Sequence, residues 1–244
     1  MNIKNVEILA YTVPLKEPVK AYAAGLMTGF GMVVVKITDE DGNTGQGYTC
    51  MMSNQELGIA RIIEDIFKPI LINSDSSRIE YLWEQMWRKT HYVGRGGPVS
   101  FAIAAVDAAL WDLLGQRLEQ PLWRILGGYS PKVKVYAGNI DLNFPISKIL
   151  ENSSKNIEDG FKAIKMRLGR ESLKEDIKRV EAVRTHIGDD IELMADANEA
   201  WRVDQALKAS NELSNFDLTW LEEPITPDDY QGYSYLRNHG KTPL

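Results

Sequence analysis

The sequence runs to 244 residues, enough for one large domain or two smaller ones, and its 44% apolar content supports a sizeable core. A net charge of −6 with no basic run argues against a nucleic-acid partner, because phosphates call for clustered Lys and Arg. No stretch approaches the roughly 20 apolar residues of a membrane span. Met1 to Glu7 lacks a signal-peptide pattern, and a lone Cys50 cannot form an intramolecular disulfide, so no membrane association and a cytoplasmic setting are expected.

Residues 1 to about 50 read as β. Val6, Ile8 and Ala10 alternate with Asn5, Glu7 and Leu9, of which Leu9 blurs the pattern. Met32 to Thr38 is a β-branched run that meets a turn at Asp39-Glu40-Asp41-Gly42 and returns from Gly45 to Thr49. Between these runs, Tyr22 to Gly29 is small and loop-like. Helices follow. Ser53-x-x-Glu56 has the spacing of a capping box, Tyr81 to Trp87 carries a second helix, and Val99 to Leu114 is apolar nearly all round, which predicts an almost wholly buried helix. Asp107 and Asp112 inside it read as structural hydrogen-bond acceptors.

After Gly127-Gly128 the rhythm becomes alternating strand and helix, with strands starting near Val133, Ala163, Ile191 and Leu218. Steps of about thirty residues with this alternation predict four βα units and a parallel sheet. The clearest helix has Ser172-x-x-Glu175 at its start, the stripe Leu173, Ile177, Val180, Val183 and Ile187, and Gly188 at its close. Thr242-Pro243-Leu244 reads as the entry to a fifth strand.

Three of these strands end in chemistry-bearing residues: Lys165-Met166-Arg167, Asp196-Ala197-Asn198 and Trp220-Leu221-Glu222-Glu223-Pro224. Residues two apart in a strand share a face, so Lys165 with Arg167, Asp196 with Asn198, and Trp220 with Glu222 should point the same way. In a parallel barrel such residues collect at the C-terminal end of the sheet, where α/β barrels place their active sites. Asp196 and Glu222 are hard oxygen ligands suited to Mg²⁺, or partners of Lys and Arg in structural ion pairs. A metal beside cations suggests a substrate carboxylate whose negative charge grows during reaction.

The runs Gly160 to Arg167, Met194 to Asn198 and Trp220 to Pro224, with Gly94-Arg95-Gly96-Gly97, Ala109 to Leu113 and Pro121 to Gly128 in the N-terminal half, resemble the enolase superfamily. The likeness is strongest to its mandelate racemase and acid-sugar dehydratase branch. It implies an α+β capping domain over residues 1–128, then the first half of a (β/α)7β barrel over residues 129–244. By the same resemblance Asp196 and Glu222 are Mg²⁺ ligands and Asn198 lies beside the metal. Tyr22 and Met27 in one capping loop, with Tyr48 in or near another, would sort substrates. Glu223 has the opposite strand parity and reads as a salt-bridge partner.

Two departures from the family pattern matter. Arg167 stands where a lysine base is usual, and arginine is a poor base but a good carboxylate clamp, which leaves Lys165 as base or electrostatic helper and Arg167 as charge-stabilising partner. One base suffices for dehydration, whereas racemisation needs an acid/base group on each face of the carbon. The chain also stops before the family's third carboxylate ligand and its later His–Asp pair or Lys, so a truncated member is expected. His91, His186 and His239 do not match that pair and read as packing or solvated residues. The expected parent activity is Mg²⁺-dependent abstraction of a proton α to a carboxylate, followed by loss of a β-hydroxyl from a sugar acid or related α-hydroxy acid. The alternatives are a racemase, epimerase or cycloisomerase of the same superfamily, and a non-catalytic fragment or scaffold. Four βα units leave open sheet edges, so a homo-oligomer is expected.

Overall fold

The computed structural model describes residues 1–52, 55–94 and 96–244. They form two compact units, Met1–Lys16 with Thr28–Val133 and Glu17–Met27 with Lys134–Leu244. Ser53, and with it the proposed capping box, lies outside the described residues, as does Arg95 of the Gly94 to Gly97 motif.

Three strands, β1 (Ile3–Ala21), β2 (Gly25–Asp39) and β3 (Thr44–Met51), form one sheet in that order. From Gly31 on, every second residue of β2 is buried, with Val33, Val35 and Ile37 fully inside, because alternation puts one face of the strand on the core. β3 runs antiparallel to it, with Val35 opposite Gly47 and Ile37 opposite Gly45. The segment expected as a loop is mostly strand: only Tyr22 to Ala24 turn, and β2 already begins at Gly25, whose φ of 71° suits glycine. Local composition favours a loop there, but the chain turns back along β1, its neighbour in the sheet, with Gly29 against Val13 and Pro14.

The first unit adds α1 (Glu56–Ile62), a π-helical turn over Ile63–Phe67, α2 (Lys68–Leu71), α3 (Ile79–Lys89), α4 (Pro98–Leu118) and α5 (Leu122–Ile125). Its core joins Val33, Val35 and Ile37 to Phe67, Leu82, Met86, Val106 and Leu110. α4 is less buried than its composition suggests. It is long and apolar enough to cross a membrane by length and composition, contrary to the reading of the sequence, yet half of its apolar window is buried inside the protein and Phe101 is 41% exposed. Its buried side packs on β3 at backbone contact. A Cβ on Gly45 would fall 2.2 Å from Ala109 O, and one on Gly47 would fall 2.2 Å from Ala105 O. Asp112 Oδ2 accepts from Gln46 N at 2.8 Å and fastens the same junction, which is the structural role expected of it.

The second unit alternates β4 (Ala137–Gly138), α6 (Ile146–Glu158), β5 (Ala163–Arg167), α7 (Leu173–Ile187), β6 (Glu192–Asp196), α8 (Val203–Leu213), β7 (Leu218–Glu222) and α9 (Tyr230–His239). The sheet is parallel in the order β4-β5-β6-β7, as expected of βα units. β4 is two residues long and starts at Ala137 rather than near Val133. All five residues of β5 are buried. Ser172 Oγ accepts from Glu175 N and caps α7, and Gly188 (φ 73°) ends it. Pro243 O accepts from Leu221 N at 2.7 Å, so the last residues lie beside β7 where a further strand was expected, although they form none.

The two glycines of β3 generate a prediction. Gly47→Ala forces α4 off the sheet and should destabilise the first unit by about 3 kcal/mol, the upper range for overpacking. Urea unfolding followed by circular dichroism reads this; an unchanged midpoint would show that α4 can move aside freely.

Candidate active site

The parallel register sets the site. Arg167 on β5 stands opposite Asp196 on β6, and Asp196 opposite Glu222 on β7, so three strand ends finish at one level. Lys165 Nζ lies 3.0 Å from Asp196 Oδ2 and 2.8 Å from Glu222 Oε1, holding both carboxylates. Arg167 Nη1 pairs with the same Asp196 oxygen. Lys165, Arg167 and Asp196 are 7%, 9% and 1% exposed, so these charges interact largely out of water. The other Glu222 oxygen accepts from Trp220 Nε1 at 2.9 Å. Trp220 in turn packs edge-on to Tyr136, with ring centroids 5.7 Å apart. Burial pushes the Glu222 carboxyl up, but the Lys165 and Trp220 hydrogen bonds and the Lys165 and Arg167 charges outweigh it and hold it below its ordinary value. Burial dominates at Arg167 and lowers its pKa against the opposing charges of Glu222, Asp141 and Glu223.

Asn198 joins the cluster, though not by strand parity. β6 stops at Asp196, and the backbone turns left-handed at Asn198 (φ 45°) and Glu199 (φ 67°), with Glu223 (φ 43°) matching them on the next loop. Such conformations in non-glycine residues carry strain of order 1–3 kcal/mol each and gather at functional loops. The two loops are tied by Ala197 N to Glu222 O at 2.9 Å and Glu199 N to Glu223 O at 2.7 Å. Asn198 N donates to Asp196 Oδ1 at 2.9 Å, and its Nδ2 donates to Glu223 Oε2 at 3.2 Å. Glu223 is thus an amide acceptor rather than the salt-bridge partner expected. Asn198 Oδ1 is buried with no partner.

Behind the cluster lies a network that sequence reasoning missed. Asp141, 1% exposed, accepts from Arg167 N at 2.9 Å and from Arg179 Nη2 at 3.4 Å. Arg179 also donates to Leu142 O at 2.9 Å, Asp141 O at 3.1 Å and Arg167 O at 3.2 Å. Burial pushes Asp141 up despite these donors, and its Oδ2 has no partner. Asp176 Oδ2 accepts from Gly169 N and Arg170 N, both at 3.1 Å, and pins the loop after β5. The available signal was Asp176 itself, four residues before Val180 and therefore on the buried stripe of α7.

The proposed substrate residues do not all gather here. Tyr22, 51% exposed, lines a cavity of about 940 Å³ with Arg170, Trp201 and Lys208, and none of Lys165, Arg167, Asp196 or Glu222 lines it. Met27 is buried, and Tyr48 is 65% exposed on β3 in the other unit. The histidines have packing roles: His186 bonds Ser154 Oγ at 2.7 Å, His239 Nδ1 donates to Tyr235 O at 2.8 Å, and His91 sits edge-on to Tyr92.

Among the described residues no three His, Cys, Asp or Glu side chains group as a metal site. Asp196 and Glu222 each bring a hard carboxylate, and Asn198, whose backbone amide bonds Asp196, carries a buried side-chain oxygen with no partner among the described residues. That donor chemistry fits Mg²⁺ with water filling the other positions.

Comparison with known proteins agrees along nearly the whole chain. Residues 3–127 match the mandelate racemase/muconate lactonizing enzyme N-terminal domain, and residues 148–244 match the enolase C-terminal domain-like family. The chain belongs to the mandelate racemase/muconate lactonizing enzyme branch of the enolase superfamily. It is 43% identical, over 98% of its length, to the 3,6-anhydro-alpha-L-galactonate cycloisomerase of Streptomyces coelicolor, covering 67% of that enzyme. It is 33% identical, over 81% of its length, to the arabinonate dehydratase of Saccharolobus solfataricus, covering 53% of it. A Streptomyces coelicolor racemase crystallised with magnesium superposes with a TM-score of 0.97 at 42% identity, across 98% of this chain and 67% of that one. The L-talarate dehydratase of Polaromonas sp. JS666, crystallised with Mg and L-glucarate, gives 0.90 at 32% identity, across 99% and 66%. The chain thus spans about half to two thirds of the length of these superfamily relatives.

The Asp141–Arg179 pair yields a second prediction. Arg179→Met strands a buried carboxylate and three carbonyls and should cost about 3–5 kcal/mol. Adding Asp141→Asn should recover part of that loss. A double-mutant cycle by urea unfolding checks it, and additive single effects would show that the two residues do not act as a pair.

Proposed function

We propose that this protein serves Mg²⁺-assisted abstraction of the proton α to a carboxylate, followed by elimination of the oxygen on the β-carbon of a sugar acid. The observation that carries the proposal is the in-register meeting of Lys165, Arg167, Asp196 and Glu222 at the C-terminal end of a parallel sheet. Asp196 and Glu222 would hold the metal, with the Asn198 oxygen beside them. When bound, Mg²⁺ supplies positive charge to a substrate carboxylate as its α-proton leaves. Arg167, fixed by Asp196 and Asp141, adds a second positive charge and cannot serve as base. Lys165 Nζ is the amine placed to carry the proton. A single base favours elimination over racemisation, and the dehydratases among the relatives support that choice. The sheet ends at β4 and β7 without closing, which supports assembly as a homo-oligomer, and a monodisperse monomer in light scattering would remove the oligomer; the same proposal places the protein in the cytoplasm.

A second reading is favoured by the 43% identity to a 3,6-anhydro-galactonate cycloisomerase. In a 3,6-anhydro sugar acid the oxygen on C3 is a ring ether. The same elimination then opens the ring and loses no water, so dehydration and cycloisomerisation differ in the leaving group and not in the base.

The test is incubation with Mg²⁺ in D₂O against linear sugar acids and a 3,6-anhydro sugar acid, followed by mass spectrometry. A 2-keto-3-deoxy acid formed with loss of water supports the dehydratase; ring opening without that loss supports the cycloisomerase. Arg167→Met should lower either turnover by on the order of 10²-fold, as for loss of one preorganised charge-stabilising donor. Racemised acid with no keto product would overturn the elimination chemistry, and no reaction with any acid would favour the non-catalytic reading.

A further inference from the structure

Lys165 does more in this structure than wait beside a metal site. Its ammonium lies 3.0 Å from Asp196 Oδ2 and 2.8 Å from Glu222 Oε1, and so stands at the point shared by both carboxylates. Arg167 reaches only Asp196. With Lys165 and Arg167 counted against Asp196 and Glu222, the directly bonded cluster carries two positive and two negative charges. A dication entering while both side chains stayed would add two positive charges beside Lys165, Arg167 and Asp196, each less than 10% exposed, at carboxylate oxygens that the Lys165 ammonium already occupies. One resident cation therefore has to move. Arg167 is the worse candidate, because its backbone is held by Asp141 and Arg179 and a planar guanidinium needs a fixed partner geometry. Lys165 carries a compact charge on a flexible four-carbon stem, and among the described residues it alone bridges the two carboxylates.

We infer that the Lys165 ammonium is the resident counter-ion of the Asp196–Glu222 pair, and that a divalent cation loads by displacing it. Metal entry then has two consequences fixed by one exchange. The carboxylates trade a monovalent for a divalent partner, and the Lys165 amine is released from its ion pairs toward the substrate. Lys165 thereby sets the threshold for loading: a cation has to outbid an ammonium already in contact with both ligands. The inference rests on the metal reading of Asp196 and Glu222 given above.

Titration calorimetry with Mg²⁺ on the full 244-residue chain tests it. Lys165→Met should bind Mg²⁺ at least about tenfold more tightly than the native chain, the scale of removing a competing charge in contact at an effective dielectric near 20. Binding heat should vanish in the Asp196→Asn, Glu222→Gln double variant. If that double variant loses the heat but Lys165→Met binds no tighter than the native chain, or binds more weakly, the exchange is wrong and the ligand assignment stands. If the double variant keeps the heat, both are wrong. If neither the native chain nor Lys165→Met binds Mg²⁺, both fall as well.

Removing Lys165 leaves two facing carboxylates, so the variant could fail to fold, and a measurement on the native chain covers that case. Labelling by acetic anhydride, read by mass spectrometry, should modify Lys165 several-fold faster at saturating Mg²⁺ than without it, with the exposed Lys208 as internal reference. Equal or slower labelling of Lys165 in the presence of Mg²⁺ would overturn the displacement.

Discussion

Asp196 and Glu222 stand side by side because parallel pairing of β6 and β7 leaves them no other place, and two carboxylates on adjacent strands repel one another. At the strand spacing of about 5 Å the repulsion is roughly 3 kcal/mol for an effective dielectric of 20. The sheet meets this load with cations from the next strand over. β5 pairs with β6 so that Arg167 is opposite Asp196, and Lys165, two residues earlier on the same face, reaches both carboxylates. Register thus supplies the charge clash and its neutralisation together. The left-handed residues Asn198, Glu199 and Glu223 follow from the same geometry, since the two loops must leave their strands at one level while staying bonded to each other.

The second layer of support runs away from solvent. Arg179 on α7 spends its donors on Leu142, Asp141 and Arg167, and Asp141 returns a bond to the Arg167 amide. A helix that covers the sheet therefore also fixes the backbone of the residue that faces the site. The arrangement is not fully satisfied, because Asp141 Oδ2, Arg179 Nε and Arg167 Nε are buried without partners among the described residues. Half-satisfied buried networks are costly, and natural proteins retain them where the geometry serves a site.

Much of this was legible in the sequence, and the misses share one cause. Strand parity placed Lys165 with Arg167 and Trp220 with Glu222 because all four lie inside strands, where alternation is a geometric rule. It failed as a reason for pairing Asp196 with Asn198, because the chain leaves the strand at Asp196; the two meet through a backbone amide instead. The α7 cap and the parallel order of strands followed from local pattern. Gly25 to Gly29 became strand by pairing that composition does not reveal, and α4 kept an exposed side that includes Phe101 and Leu118 because its small buried residues Ala105 and Ala109 seat one face of the helix on β3. Asp141 and Arg179 were beyond reach of any local rule, being 38 positions apart and joined only by the fold.

The two cations are not equivalent, and that difference gives the site its direction. Arg167 is held at both ends, by Asp196 at its guanidinium and by Asp141 and Arg179 at its backbone, and remains charged at any ordinary pH. It is suited to a constant task, neutralising an anion that grows in place. The Lys165 backbone is fixed inside β5, but its ammonium is held by the two groups that a metal would claim. A side chain whose position depends on what else occupies the site is suited to a changing task, carrying a proton in one state and a counter-charge in another. An arginine at position 167 therefore does not merely remove a base. Under the proposed function it would concentrate proton chemistry in Lys165, and one amine on one face of a carbon suits elimination better than inversion.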